Sequence, residues 1–193
     1  MNFVSTESII KPKELDVAKG NPLWKFATWA YNEPDVEKAC LALQNRLGAN
    51  VTMVMFCLWL AQRGTPGGHL ARYLGAAIKL AHDWQRLFVE PLRTCRHNFK
   101  DFIVNTDMGG GETVAANGLR DRILQAELDM EQLQMMAMFN LVIDNELNDE
   151  LRSSAEQRQH AQNNLNVYFT ATGVKLDPLG QTHVIRLLQV VFG

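Results

Sequence analysis

Apolar and polar positions recur along this chain at helical spacing, and strand-like alternation never runs beyond a few residues. The first periodic segment opens at Asn21-Pro22, an N-cap followed by proline at the first helical position, and carries Trp24, Phe26, Trp29 and Tyr31. It must end near Glu33, because the residue before Pro34 is pushed out of the α region. Pro34 starts the next helix, whose Val36, Cys40, Leu43 and Leu47 share one face, with Gly48 as its stop. Asn50 then caps VTMVMFCLWLAQR, which ends at Gly64 and is hydrophobic on every side. A helix without a polar face belongs inside, so the spacing predicts a buried central helix over 51–63. The TPGG run at 65–68 reads as a turn. A fourth helix follows, with Leu74, Ile78, Ala81, Trp84 and Phe88 on one stripe. Pro91 is expected to kink or end it, and a further piece carries Leu92, Cys95, Phe99 and Phe102 on its inner face.

Residues 105–113, NTDMGGGET, form the clearest loop and are expected to be flexible. A long helix from about 115 to 146, another over roughly 150–171 stopping at Gly173, and a last one opened by Asp177-Pro178 complete the pattern. Residues 1–20 show no periodicity and read as a loose arm. The expectation is one all-α domain over 21–193, a bundle of seven or eight helices around the 51–63 segment. A length of 193 residues suits a single core of that kind.

Composition narrows the chemistry. Apolar residues at 47% and charged residues at 21% are ordinary for a globular chain, and a formal net charge of -2 argues against nucleic acid as a partner. Cys40, Cys57 and Cys95 are odd in number and widely spaced, which reads as reduced thiols rather than a disulfide framework. Cys95, on the Leu92/Phe99 face, is expected to be a buried structural thiol. The N-terminus lacks the apolar stretch of a signal peptide, and the most apolar run, 51–61, is far short of the roughly 20 residues that cross a bilayer. These features together point to a cytoplasmic protein.

No Glu has a His three residues later, and no HExxH, zinc-ligand or calcium-loop spacing occurs. No metal or other cofactor is therefore expected. Gly109-Gly110-Gly111 lacks the Lys-Ser/Thr ending and the leading strand of a phosphate-binding loop, so it reads as a connector.

Charge is unevenly placed. Between 66 and 106 there are six Lys/Arg and three Asp/Glu, whereas between 107 and 157 there are three and eleven. Arg72, Lys79, Arg86, Arg93 and Lys100 are spaced seven apart, with Arg96 beside the far end. On a straight helix each heptad drifts by only about 20°, so these cations would form one stripe opposite the apolar face. Three readings follow: a solvated face, an anion- or partner-binding edge, or an internal pairing of Arg93 and Arg96 with Glu127 and Glu131 across the bundle.

The first half also carries a signature: Leu23-Trp24, Tyr31, Val36, Cys40-Leu41-x-Leu43-Gln44, Gly48-x-Asn50-Val51 and Leu58-Trp59-Leu60. Trp84, Pro91-Leu92-Arg93-x-x-Arg96, Glu127-Leu128-x-x-Glu131 and Asn164-Leu165-x-x-Tyr168 continue it. Over residues 22–170 this resembles an uncharacterised family of small proteobacterial helical proteins, a domain of unknown function. The resemblance implies an all-α fold and a bacterial cytosolic setting, and brings no activity, cofactor or catalytic residue.

The leading functional expectation is a non-catalytic accessory or regulatory protein that binds another protein through the cationic edge of Arg72, Lys79, Arg86, Arg93, Arg96 and Lys100. The alternative is a small-ligand protein or enzyme whose inter-helix pocket is lined by Gln44, Arg93, Arg96, Glu127 and Glu131.

Overall fold

The computed structural model describes residues 20–64, 67–142 and 153–193, with the side chains of 67–69 left aside. Every regular element among these residues is helical. Asn21 caps α1 (Pro22–Tyr31), its side-chain oxygen accepting from the amides of Leu23 and Trp24. Proline at the first position of α2 (Pro34–Leu47) presets the helical φ, and Gly48, at φ 69, closes it in the left-handed region. Asn50 caps α3 (Val51–Gln62) through the Met53 amide. α4 (Gly67–Trp84) runs through a π turn (Gln85–Val89) into α5 (Glu90–Asn105). The remaining elements are α6 (Gly110–Asn140), α7 (Ser154–Thr172) and α8 (Pro178–Phe192).

The central position expected for the 51–63 segment is observed. Every residue from Thr52 to Ala61 is buried, and α3 packs against α1, α2, α4, α6 and α7, most extensively against α7. Two polar side chains that enter this core are matched to backbone partners. The Asn164 amide donates to the Cys57 carbonyl at 3.0 Å, and the Tyr168 hydroxyl accepts from the Asn50 amide at 2.8 Å. A second layer pairs α2 with α8. There Arg46 binds Asp177, which also caps α8 through the Gly180 amide, and Arg186 binds Asp35. No helix among the described residues is long and apolar enough to cross a membrane.

Several local expectations need correction. Pro91 neither ends nor breaks the fourth helix. It has no N–H, and its ring would collide with the carbonyl of Leu87 in a regular helix. The π turn just before it widens the ring of hydrogen bonds, the Glu90 amide reaching back to the Gln85 carbonyl, and the helix continues. The loop expected at 105–113 shrinks to 106–109, because Gly110 and Gly111 form the first turn of α6. Glu112 folds back onto the Gly109 amide at 3.2 Å and Thr113 reaches the Gly109 carbonyl, which supplies the cap that the glycines cannot. The turn expected at 65–68 is already helical at Gly67 and Gly68, while Thr65 and Pro66 lie outside the described residues. Residues 1–19 of the arm expected over 1–20 also lie outside, and the long helix expected to reach about 146 ends at Asn140, with Leu141 and Val142 already in a turn.

One pair of helices stands apart from this core. α5 packs along α6 and on nothing else of substance, and it buries none of its residues. Together α5 and the first half of α6 form an antiparallel arm roughly 24 Å long, given the rise of about 1.5 Å per residue. Its base is tied down where the Trp84 indole donates to the Met130 carbonyl at 2.8 Å. Gln85 also donates to the buried Gln134 at 3.1 Å.

Candidate functional site

At the base of the arm, α5 presents Arg93 and Arg96 to Glu127 and Glu131 of α6. Arg93 donates through Nε to Glu127 Oε1 at 2.7 Å and through Nη2 to Glu131 Oε1 at 2.8 Å. Arg96 Nε reaches Glu127 Oε2 at 2.8 Å. Both oxygens of Glu127 are thus engaged, and its side chain is only 6% exposed, against 32% for Arg93 and 23% for Arg96. Of the three readings of these residues, the internal pairing is what the structure shows.

The two carboxylates are pushed in opposite directions. Burial raises both, but at Glu127 the hydrogen bonds from Arg96 and Arg93 outweigh it and the carboxyl lies below its ordinary range. At Glu131 burial prevails over the attraction of Arg93, and the neighbouring Glu127 charge adds to it, so the carboxyl lies above. Tyr31, at the end of α1, feels the same charges. Its phenol is raised first by burial, then by Cys40, Glu37 and Glu131, against the pull of Arg93.

Gln44 does not join this group. It is half-buried on α2, and α2 has no substantive packing against α5 or α6. The pocket expected to be lined by Gln44, Arg93, Arg96, Glu127 and Glu131 is replaced by a closed ion-pair network on one side and a separate glutamine on the other.

The cationic stripe is likewise not continuous. The π turn holds one residue more than a regular turn, which rotates all that follows by about 100°. Before it, Arg72, Lys79 and Arg86 face outward, Lys79 pairing with Asp83 one turn on. After it, Arg93 and Arg96 turn inward and Lys100 is exposed again. The same rotation overturns the inner face expected for α5: Leu92 and Phe99 are half-buried, but Cys95 is exposed and Phe102 is 55% exposed. Cys95 is therefore the accessible thiol, whereas burial raises Cys40 to about 12 and pushes Cys57 up further. A thiol-reactive chromophore should titrate one cysteine rapidly in the native protein and the other two only after denaturant. Two rapid equivalents would contradict this placement.

Sequence spacing gave no sign of the groove between the ends of α2 and α7 and the π turn. Its volume is about 530 Å³. Met53, Ile78, Ala81 and Val174 provide apolar lining, and His82, Gln85, Arg86 and Glu90 provide polar lining. Arg86 has no partner among the described residues. Its place in a cation repeat concealed a position set by the π turn, and Tyr168, on α7, showed only as part of the family signature. Among the described residues there is no cluster of three or more side chains suited to hold a metal ion.

The arm carries the largest concentration of uncovered apolar surface. Of the twelve exposed large hydrophobic side chains among the described residues, five lie on the arm (Phe102, Val104, Val114, Leu119 and Leu124), with Leu87 and Phe88 in the π turn at its base and Leu128 further along α6. Exposure is 41% at Phe88, 55% at Phe102, 42% at Leu119 and 39% at Leu124. Singly exposed apolar residues are normal, and the run of them along one hairpin sets the arm apart from the other described helices.

Neither a curated protein nor a solved structure matches the chain. A family model described as protein of unknown function (DUF2390) matches residues 22–138. The matched stretch starts at the first residue of α1 and ends in the last turn of α6. It takes in Tyr31, Gln44, the four-residue ion-pair network and the whole arm, leaving α7 and α8 outside. That is more than half of the sequence, and the chain belongs to the family of proteins of unknown function DUF2390.

Proposed function

We propose that this is a non-catalytic accessory or regulatory protein of the bacterial cytoplasm, acting by binding another protein through the α5–α6 arm. The observation that carries this reading is the arm itself: a hairpin outside the core, with no buried residue in α5 and five of the twelve exposed large apolar side chains among the described residues. The Arg93/Arg96/Glu127/Glu131 network supports it by fixing the register of α5 on α6, so that the apolar side chains are presented on a stiff element. The cations assigned to contact by sequence divide accordingly. Arg93 and Arg96 hold the arm, while Lys100, near its tip, remains available to a partner.

The reading is tested by site-specific photo-crosslinking in the native host. A photoreactive residue at Phe102 or Leu124 should give a discrete adduct, and one at Leu179, equally exposed on α8, should not. Adducts only from Leu179, or equally from all three positions, would remove the arm from consideration. An adduct with the mass of two copies would replace the foreign partner with self-association.

A further inference from the structure

The groove beside the π turn has a composition that the arm does not share. One wall is α4 and the π turn, presenting His82, Gln85 and Arg86, with Glu90 just beyond. The groove is also lined by the C-terminal ends of two helices, Gly48 after α2 and Gly173 after α7, both left-handed caps at φ 69 and φ 71. Between them the lining is apolar, with Met53 and Ala81 belonging to the buried core. Tyr168, only 2% exposed, also lines the groove. Its hydroxyl oxygen accepts the Asn50 amide, and its own hydrogen has no acceptor among the described residues.

The groove therefore offers two hydrogen-bond donors without partners, the Arg86 guanidinium and the Tyr168 hydroxyl, above an apolar surface. A widened turn, here placing Arg86, is a feature often found at functional sites. Volume also fits, since small-molecule sites occupy roughly 300–1,000 Å³. The surrounding field sets a limit on charge. Helix C-termini carry partial negative charge, and Glu90 adds a full one, so a second negative charge on a ligand would be opposed.

We propose that this groove binds a small amphipathic monocarboxylate, its carboxylate held by Arg86 and Tyr168 and its hydrocarbon portion laid over Met53, Ile78 and Val174. A phosphate dianion would gain the same contacts but meet the two helix ends and Glu90. An amine of the same chain length would face Arg86. The site thus favours one negative charge joined to an apolar body.

Octanoate, titrated calorimetrically into the full chain, tests this. The expected result is saturable binding of one equivalent, weakened about tenfold or more by Arg86→Gln, because a charge-assisted hydrogen bond is lost. Arg86 is exposed and unpaired among the described residues, so the variant should melt as the parent does. Phe102→Ser, on the arm, should bind octanoate as the parent does. Octyl phosphate and octylamine should both bind more weakly than octanoate. Absence of saturable binding, an Arg86→Gln variant of undiminished affinity, or loss of binding in Phe102→Ser would each overturn the assignment. Tighter binding of the phosphate or of the amine would overturn it too, by reversing the charge preference.

Discussion

Replacing Trp59 by alanine should remove about 3–5 kcal/mol of folding stability, the range for deleting a large aromatic from a packed core. Trp59 is 2% exposed in the middle of α3. Its ring lies 6.3 Å from that of Phe56 on the same helix and 5.4 Å from that of Phe139 on α6. Truncation opens a void between two helices that are held from several sides and cannot collapse into it. A domain of this kind has a total stability of about 5–15 kcal/mol, so the loss amounts to between about a fifth and the whole of it. Urea denaturation followed by helical circular dichroism measures the loss. Trp29→Ala is the comparison: that ring is 49% exposed on α1, and its truncation should change stability by about 0.5 kcal/mol or less. Equal losses in the two variants would mean that α3 is not the centre of the core.

The second large effect belongs to Glu127. Glu127→Gln leaves Arg93 and Arg96 facing each other with one carboxylate between them, and should cost about 2–4 kcal/mol. That is below the usual figure for breaking a buried pair, because both guanidinium groups are partly open to solvent. Glu131→Gln should cost about 1 kcal/mol or less, since burial already disfavours its charge. The two carboxylates also predict opposite pH trends. The lowered Glu127 contributes stability that is present above the ordinary carboxylate pKa and disappears as pH falls through its own lower value. The raised Glu131 contributes stability below the ordinary value, which disappears as pH rises through its own higher one. The deficit of Glu127→Gln relative to the parent should therefore grow from acid to neutral pH, while that of Glu131→Gln should shrink. Parallel trends in the two variants would show that the network does not separate the carboxylates.

The helices were readable in the sequence wherever a local rule governs them. Asn21-Pro22, Pro34, Gly48, Asn50, Gly173 and Asp177-Pro178 mark ends that depend on caps a few residues long, and the structure places those ends there. The buried α3 was equally legible, since a segment without a polar face has nowhere else to go. What escaped was phase. A heptad of cations assumes an unbroken 3.6-residue period, and one extra residue at 85–89 moved Arg93 and Arg96 inside and Cys95 and Phe102 outside. Proline signals a disturbance, but nothing local says whether a helix answers by bending or by widening one turn. The pairing of Arg93 and Arg96 with Glu127 and Glu131 was foreseeable as one arrangement among three. Choosing it required knowing that α6 doubles back along α5, and nothing in local spacing encodes that. The groove was invisible for a related reason: Arg86, Gly48 and Tyr168 come from three distant parts of the chain and share no motif.

The burial of α3 has a consequence for how the chain is made. The amide of Asn164 closes on the carbonyl of Cys57 across 107 residues, and α7 supplies much of the cover over the central helix. At about 5–20 residues per second of synthesis, the most apolar segment of the protein emerges several seconds before its main cover exists. During that interval α1 and α2 can shield only part of it, and α4 and α6 arrive in turn. The nascent chain must carry a fully hydrophobic helix in search of partners, so its exposure to misassembly is set by the order of translation rather than by the stability of the finished fold.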